Sequence, residues 1–338
     1  MPRPGDRLNA GEVRLRAAAA FALLAPTRVA RAQRRVRTRV SRANELRMRG
    51  LYAEAEQVCL PTLNDAEAVL GPEDPTLIPL LNVLGIVYKY TARFDAAERL
   101  YRRALLLAES QQPTDLNQLA DLHHNLGGLD HARGRFAEGQ PAARRAVELR
   151  TKALGDEHPA VAADRAALAA LLDQLDQSEE AEKLLREAIR VLERTVGRLH
   201  VDVAAAVNNL AAICQKRGST TEAEQLYRRA LDIKERAGGP YHPELTPTLN
   251  NLAILLRRQG RTEEAAILYR RALAILERVV GPDHPNLLAC RENYAALLRT
   301  STVAMEEPRG LLGSQTHCAD ISDEAGIARD SGRGNVWE

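Results

Sequence analysis

The chain repeats itself every 42 residues, and that single fact restricts its folding more than anything in its composition. At this offset Ala104, Ala146, Ala188, Ala230 and Ala272 fall in one register. Gly155, Gly197, Gly239 and Gly281 share a second, and His158, His200, His242 and His284 a third. Tyr101, Leu185, Tyr227 and Tyr269 share a fourth, with Ala143 as the exception. No insertion or deletion breaks the period from about residue 34 to residue 300. A sustained period of this length means that each repeat buries its apolar face only against its neighbours, in a nearly one-dimensional array.

Each period holds two helical patterns. In TLNNLAILLRRQG (248–260) Leu249, Leu252, Ala253 and Leu256 recur at i, i+3, i+4 and i+7 and form one apolar stripe. Gly260 is placed to end this first helix. The second pattern, 261–280, puts Ala265, Tyr269 and Ala272 on its inner face, Gly281 closes it, and Pro285 sits where the next helix begins. Two irregular repeats stand out. The first carries Arg42 at an expected apolar position and Pro61 in its second helix, and is read as a cap. The third has Gly139 and Pro141 early in its second helix and Asp130 in place of a large apolar residue, which predicts a late helix start or a bend.

Small residues at Ala253, Ala265 and Ala272 with Tyr269 between them resemble the tetratricopeptide signature. The 42-residue length, the NNLA start, the LYRRAL core and the GPDHPNL linker (281–287) resemble more particularly the repeats of kinesin light chains and their bacterial relatives. The long heptad coiled coil that joins true light chains to the motor is absent from the sequence, which argues against a kinesin subunit. The resemblance implies an all-α fold, a right-handed α-solenoid of paired antiparallel helices with about six pairs and a C-terminal capping helix. The expected organisation is a basic N-terminal segment at 1–33, the array at 34–300 and a disordered acidic tail at 301–338.

The net charge of +2 hides an asymmetry, with thirteen arginines against three acids in residues 1–50 and three against seven in 301–338. Cys59, Cys214, Cys290 and Cys318 form no CxxC pair and lie near no histidine at metal spacing, so they read as buried free thiols in a reducing compartment. No run of about 18 apolar residues is present to span a membrane. The segment AAAAFALLA (17–25) looks like a short signal peptide, but the dense arginines after it oppose export, so the expected location is cytoplasmic, with export as the alternative if residues 1–32 are a signal.

No phosphate loop, HExxH, GxSxG or strand-borne GxGxxG occurs, so neither catalysis nor a cofactor is implied. The recurring histidines, one per inter-repeat turn, are too far apart to share a metal ion and read as linker geometry. The asparagines say more, because asparagine is a poor helix-interior residue. Asn82, Asn125, Asn208, Asn209, Asn250, Asn251 and Asn293 return at one or both of two adjacent positions in the first helices, with His124 in the series and Ala166 and Ala167 as a break. In light-chain-like repeats, asparagines here look like clamps on the main chain of an extended peptide in a concave groove. An amide offers the donor and the acceptor that such a chain needs. Two turns on come Lys89, Gln215 and Lys216, Arg257 and Arg258, then Arg299, interrupted by His131 and Asp173, which would favour acidic peptides.

The expected partner is therefore a protein or peptide that is extended and acidic, bound by a non-catalytic scaffold. A regulatory or sensor module of a bacterial signalling system is the first alternative. The second is a nucleic-acid binder through the arginines of 28–49, with single-strand stacking disfavoured because no aromatic residue interleaves with them. Light-chain grooves take short acidic peptides centred on tryptophan. Trp337 beside Glu338 therefore suggests that the tail folds back into the groove or reaches a neighbouring molecule.

Overall fold

The computed structural model describes residues 10–306, with side chains from 27 to 299. Among the described residues there are thirteen α-helices and no strand. They run α1 (Ala10–Met48), α2 (Tyr52–Leu70), α3 (Ile78–Tyr90), α4 (Phe94–Glu109), α5 (Leu116–Ala132), α6 (Phe136–Leu154) and α7 (Pro159–Gln174). They continue through α8 (Ser178–Thr195), α9 (Val201–Lys216), α10 (Thr220–Gly238), α11 (Thr246–Arg258), α12 (Thr262–Val279) and α13 (Pro285–Glu306). The odd-numbered helices are the first of each repeat and the even-numbered the second. The chain divides into two compact units, one ending at Gln177 and one beginning at Ser178.

The helix starts have a repeated chemical cause. His158, His200, His242 and His284 are N-caps, each accepting on Nδ1 from the backbone N–H two residues on, at 3.1, 3.3, 3.3 and 3.2 Å. Asp74 and Asp115 do the same for the two earlier repeats, accepting from Thr76 and Asn117 at 2.8 and 3.0 Å. Each such acceptor satisfies a backbone donor that the helix cannot. Gly155, Gly197 and Gly239 of the glycine register take positive φ after second helices (84°, 94° and 83°), and Gly260, in another column, does so at 76° after α11, but α12 ends on an extended Val280 and Gly281 does not cap it.

The large-residue register is the core of every repeat: Tyr101, Leu185, Tyr227, Tyr269 and the exceptional Ala143 are all buried. What opposes each one differs. Facing Tyr101 is Gly85, where an added Cβ would stand 2.5 Å from the ring. Facing Ala143 is Gly127, where it would stand 3.2 Å from the alanine backbone, so α5 and α6 approach closely because both sides are small. The late start or bend expected from Gly139 and Pro141 does not take the form of a delayed helix, since α6 begins at Phe136 in the register of Phe94 and contains Pro141. Gly139 instead permits the contact, because a Cβ there would lie 2.9 Å from that of Asp130 and 3.1 Å from the Gly127 carbonyl. Pro61 is likewise contained within α2, and Arg42 escapes burial by pointing to solvent and pairing with Glu45 at 3.0 Å.

Ion pairs tie each repeat to the one before. In the first unit Arg93 reaches Glu56, Arg103 reaches Glu67 and Arg133 reaches Asp95 and Glu98. In the second, Arg217 reaches Glu182, Arg229 reaches Glu193, Arg261 reaches Glu224 and Arg271 reaches Glu235. Those open to solvent contribute at most about 1 kcal/mol each, whereas Arg133, with its side chain 6% exposed, is held in a largely buried pair with Glu98.

The expected boundary at residue 33 falls inside α1, so the basic head and the first repeat share one helix. At the other end α13 continues past residue 300 to Glu306. The rest of the expected acidic tail, with Cys318 and Trp337, lies outside the described residues. Among the described residues Cys59, Cys214 and Cys290 are buried free thiols, and no helix is long and apolar enough to cross a membrane.

Candidate functional site

The expected site residues lie on first helices, and each unit holds its own set. In the first unit Asn125 Nδ2 donates to Asn82 Oδ1 at 2.8 Å, joining α5 to α3. In the second, Asn293 Nδ2 donates to Asn250 Oδ1 at 3.0 Å, joining α13 to α11. The donor belongs to the second of the two asparagine positions and the acceptor to the first position of the preceding repeat. The recurrence that suggested a ladder is thus, in these two places, a hydrogen bond between repeats.

Burial separates the asparagines into two classes. Asn208, Asn209, Asn250 and Asn251 are only 1–4% exposed, whereas Asn82, Asn125 and Asn293 are half-buried. Asn208 Nδ2 donates to Asn209 Oδ1 at 3.3 Å, and Asn208 Oδ1 accepts from Thr248 Oγ1 at 3.0 Å. The Nδ2 groups of Asn250 and Asn251 are buried without a hydrogen-bond partner. An unpaired buried amide is costly, so these two donors mark where the interior polar layer is incomplete.

A cluster that the sequence reading missed lies beside the ladder. His124 Nδ1 donates to Asp164 Oδ1 at 2.8 Å, and Arg150 Nε donates to Asp164 Oδ2 at 3.0 Å. Arg150 also reaches Asp121 Oδ1 at 2.7 Å and the Asn117 carbonyl at 3.2 Å. Asp164 is 3% exposed and Arg150 7%, so the pair is an interior one that binds α5, α6 and α7 together. Two repeats later the same three register positions hold Asn208, Thr248 and Lys234. There Lys234 Nζ donates to Thr248 at 3.2 Å while Thr248 donates to Asn208. The signal was available, because Asp164 shares its column with Leu80, Leu122, Ala206 and Cys290, where an acid is out of place.

The cations separate differently. Lys216 and Arg258 are exposed at the ends of α9 and α11 and Arg299 is exposed within α13, while Lys89 and Arg257 are half-buried. The Arg257 Nε group is buried without an acceptor, as is the Gln215 Oε1 atom without a donor. In the first unit Lys89 leans over the next repeat, its Nζ lying 3.3 Å from where a Cβ on Gly128 would be. The register of Gly128 holds Ala170, Ala212 and Ala296 elsewhere, but the larger, buried Ile254 on α11. Among the described residues no group of three or more His, Cys, Asp and Glu side chains is placed to hold a metal ion.

The family model described as tetratricopeptide repeat matches residues 35–110, 118–194, 202–278 and 248–301. No curated protein sequence matches. Solved structures that resemble the chain include BtubC (BKLC) from P. vanneervenii, 21% identical, covering 87% of this chain and 99% of that one with a TM-score of 0.46. They also include a Podosopora anserina putative kinesin light chain with nearly identical TPR-like repeats, 24% identical over 57% of this chain and 90% of that one, TM-score 0.44. NprR, solved in complex with its cognate peptide NprX, is 14% identical over 80% of this chain and 73% of that one, with a TM-score of 0.58.

Proposed function

The chain belongs to the tetratricopeptide repeat family, and from that premise we propose that it is a non-catalytic adaptor binding an extended, acidic stretch of another protein along its first helices. The observation that carries the reading is the placing of Lys216, Arg258 and Arg299 in solvent on α9, α11 and α13, three first helices of one unit. Exposed cations on successive first helices attract a carboxylate-bearing chain at range and bond it on contact. The fold it shares with NprR, a protein solved with a bound peptide, is in keeping with this use.

The contact set proposed for the second unit is Lys216, Arg257, Arg258 and Arg299 with Asn293 and the incompletely bonded Asn250 and Asn251. Asn208 and Asn209 belong to it as the interior layer that positions the others. In the first unit it is Asn82, Lys89 and Asn125. The test is fluorescence polarisation of the full chain with labelled ten-residue peptides of acidic, neutral and basic composition, repeated with Arg258→Glu/Arg299→Glu. Acidic peptides should bind and the double reversal should remove them in favour of basic ones. Equal binding of all three classes would reject acidic selectivity, and no binding of any would reject the adaptor reading.

A further inference from the structure

The most concentrated charge among the described residues belongs to α1, none of whose residues is in the proposed peptide contact set. Between residues 27 and 49 there are nine arginines and one acid, Glu45, although the whole chain carries a net charge of only +2. Arg28, Arg31, Arg35, Arg39 and Arg42 follow spacings of three and four residues and share one face of the helix. At 1.5 Å per residue that stripe is about 21 Å long. An adjoining face is spoken for, since Val36, Ala43 and Leu46 are buried in the core, and Ala43 and Leu46, four residues after Arg39 and Arg42, end the stripe.

Part of this charge is paired within the fold. Arg35 pairs with Asp65 and Arg42 with Glu45, both at 3.0 Å. Arg31, Arg34, Arg37 and Arg39 are exposed and have no carboxylate partner among the described residues. Thr38 and Ser41, between them, turn their hydroxyls back onto the carbonyls of Arg34 and Arg37 at 3.1 and 3.3 Å, so the surface they leave is low and polar.

We propose that this arginine stripe is a docking surface for the phosphate backbone of duplex nucleic acid. A strand of duplex presents a phosphate about every 3.4 Å along its axis while winding around it, so a straight stripe of about 21 Å can face about three of them. Guanidinium groups bond phosphate oxygens in pairs, which suits this partner better than a diffuse field would. Single strands are a poorer match, because no aromatic side chain between 27 and 49 offers a stacking surface. An acidic bilayer is also a poorer match: the large apolar side chains exposed between 27 and 48 are Val29 and Met48, near opposite ends, and form no stripe to enter lipid.

The test is fluorescence anisotropy of the full chain with a labelled 20-base-pair duplex across a salt series, alongside sedimentation with phosphatidylglycerol vesicles. The variant is Arg31→Gln/Arg39→Gln/Arg42→Gln, and the control is Arg99→Gln/Arg190→Gln/Arg270→Gln, which removes the same charge from exposed positions elsewhere. At about 0.9 per phosphate contact, the α1 variant should lose roughly 2.7 from the slope of log affinity against log salt, and at least tenfold in affinity at low salt. The control should keep both within about twofold. Absence of duplex binding by the parent chain at low salt, equal losses in the two variants, or binding to vesicles in place of duplex would each overturn the proposal.

Discussion

Replacing Asp164 with alanine should destabilise the first unit more than its small change in volume suggests. The carboxylate is 3% exposed and holds Arg150, itself 7% exposed, through Nε, and His124 through Nδ1. Its loss strands a buried guanidinium, and breaking a buried ion pair costs about 3–5 kcal/mol. Arg150 keeps Asp121, a carboxylate whose side chain is 55% exposed, and the Asn117 carbonyl, which places the expected loss near about 3 kcal/mol, at the low end of that range. For a unit of this size the melting point should fall by roughly 6–12 °C. The chain itself supplies the control. In the following repeat the two positions are Leu192 and Ala206, both fully buried. Arg150→Leu/Asp164→Ala reproduces that pair and should lie within about 1 kcal/mol of the parent, because a buried ion pair can be exchanged for apolar packing at little cost. Urea unfolding followed by circular dichroism measures both. A single variant costing under about 1 kcal/mol, or a double variant costing as much as the single one, would refute the reasoning.

Gly85→Ala should cost about 1–3 kcal/mol in the same assay, since its Cβ would stand 2.5 Å from the fully buried ring of Tyr101. His158→Ala should cost about 1 kcal/mol through loss of the acceptor for the Ala160 N–H, while His158→Asn, which keeps an acceptor, should melt with the parent. Alkaline pH should weaken the fold. Burial first, then Glu56 and Glu277 respectively, push the Cys59 and Cys290 thiols up to about 12, and burial pushes Cys214 up to about 11. Unfolded thiols ionise near about 8.5. The three therefore contribute stability that is whole below that value and is lost as pH rises towards 11–12, and a thiol reagent at pH 8 should label native protein far more slowly than urea-unfolded protein.

The fold was legible because helix periodicity and the repeat period describe the same object at two scales. Stretches 248–260 and 261–280, marked by an apolar stripe and its closing glycine, become α11 and α12 to within a residue or two. Functions carried by backbone atoms were legible only in part. The histidine register was visible as a linker feature, but its role as an N-cap depends on which ring nitrogen turns back to the chain, a torsion that no spacing records. The asparagines were harder still. An amide on a first helix can point outward or towards the adjacent repeat, and a small rotation of the helix decides which.

That decision has a consequence for how recognition is divided in the second unit. Asn250 has its carbonyl oxygen committed to Asn293, and Asn208 has both ends committed, to Asn209 and Thr248. A group already bonded and 1–4% exposed cannot distinguish one ligand from another without first leaving its partner. Substituting such a residue would therefore weaken binding and stability together, and the two effects would be hard to separate. Arg258 and Arg299 stand in solvent, so reversing their charge changes what the face attracts while leaving the layer beneath it intact. If the proposed face takes a peptide, selectivity should accordingly follow the exposed cations rather than the buried amides.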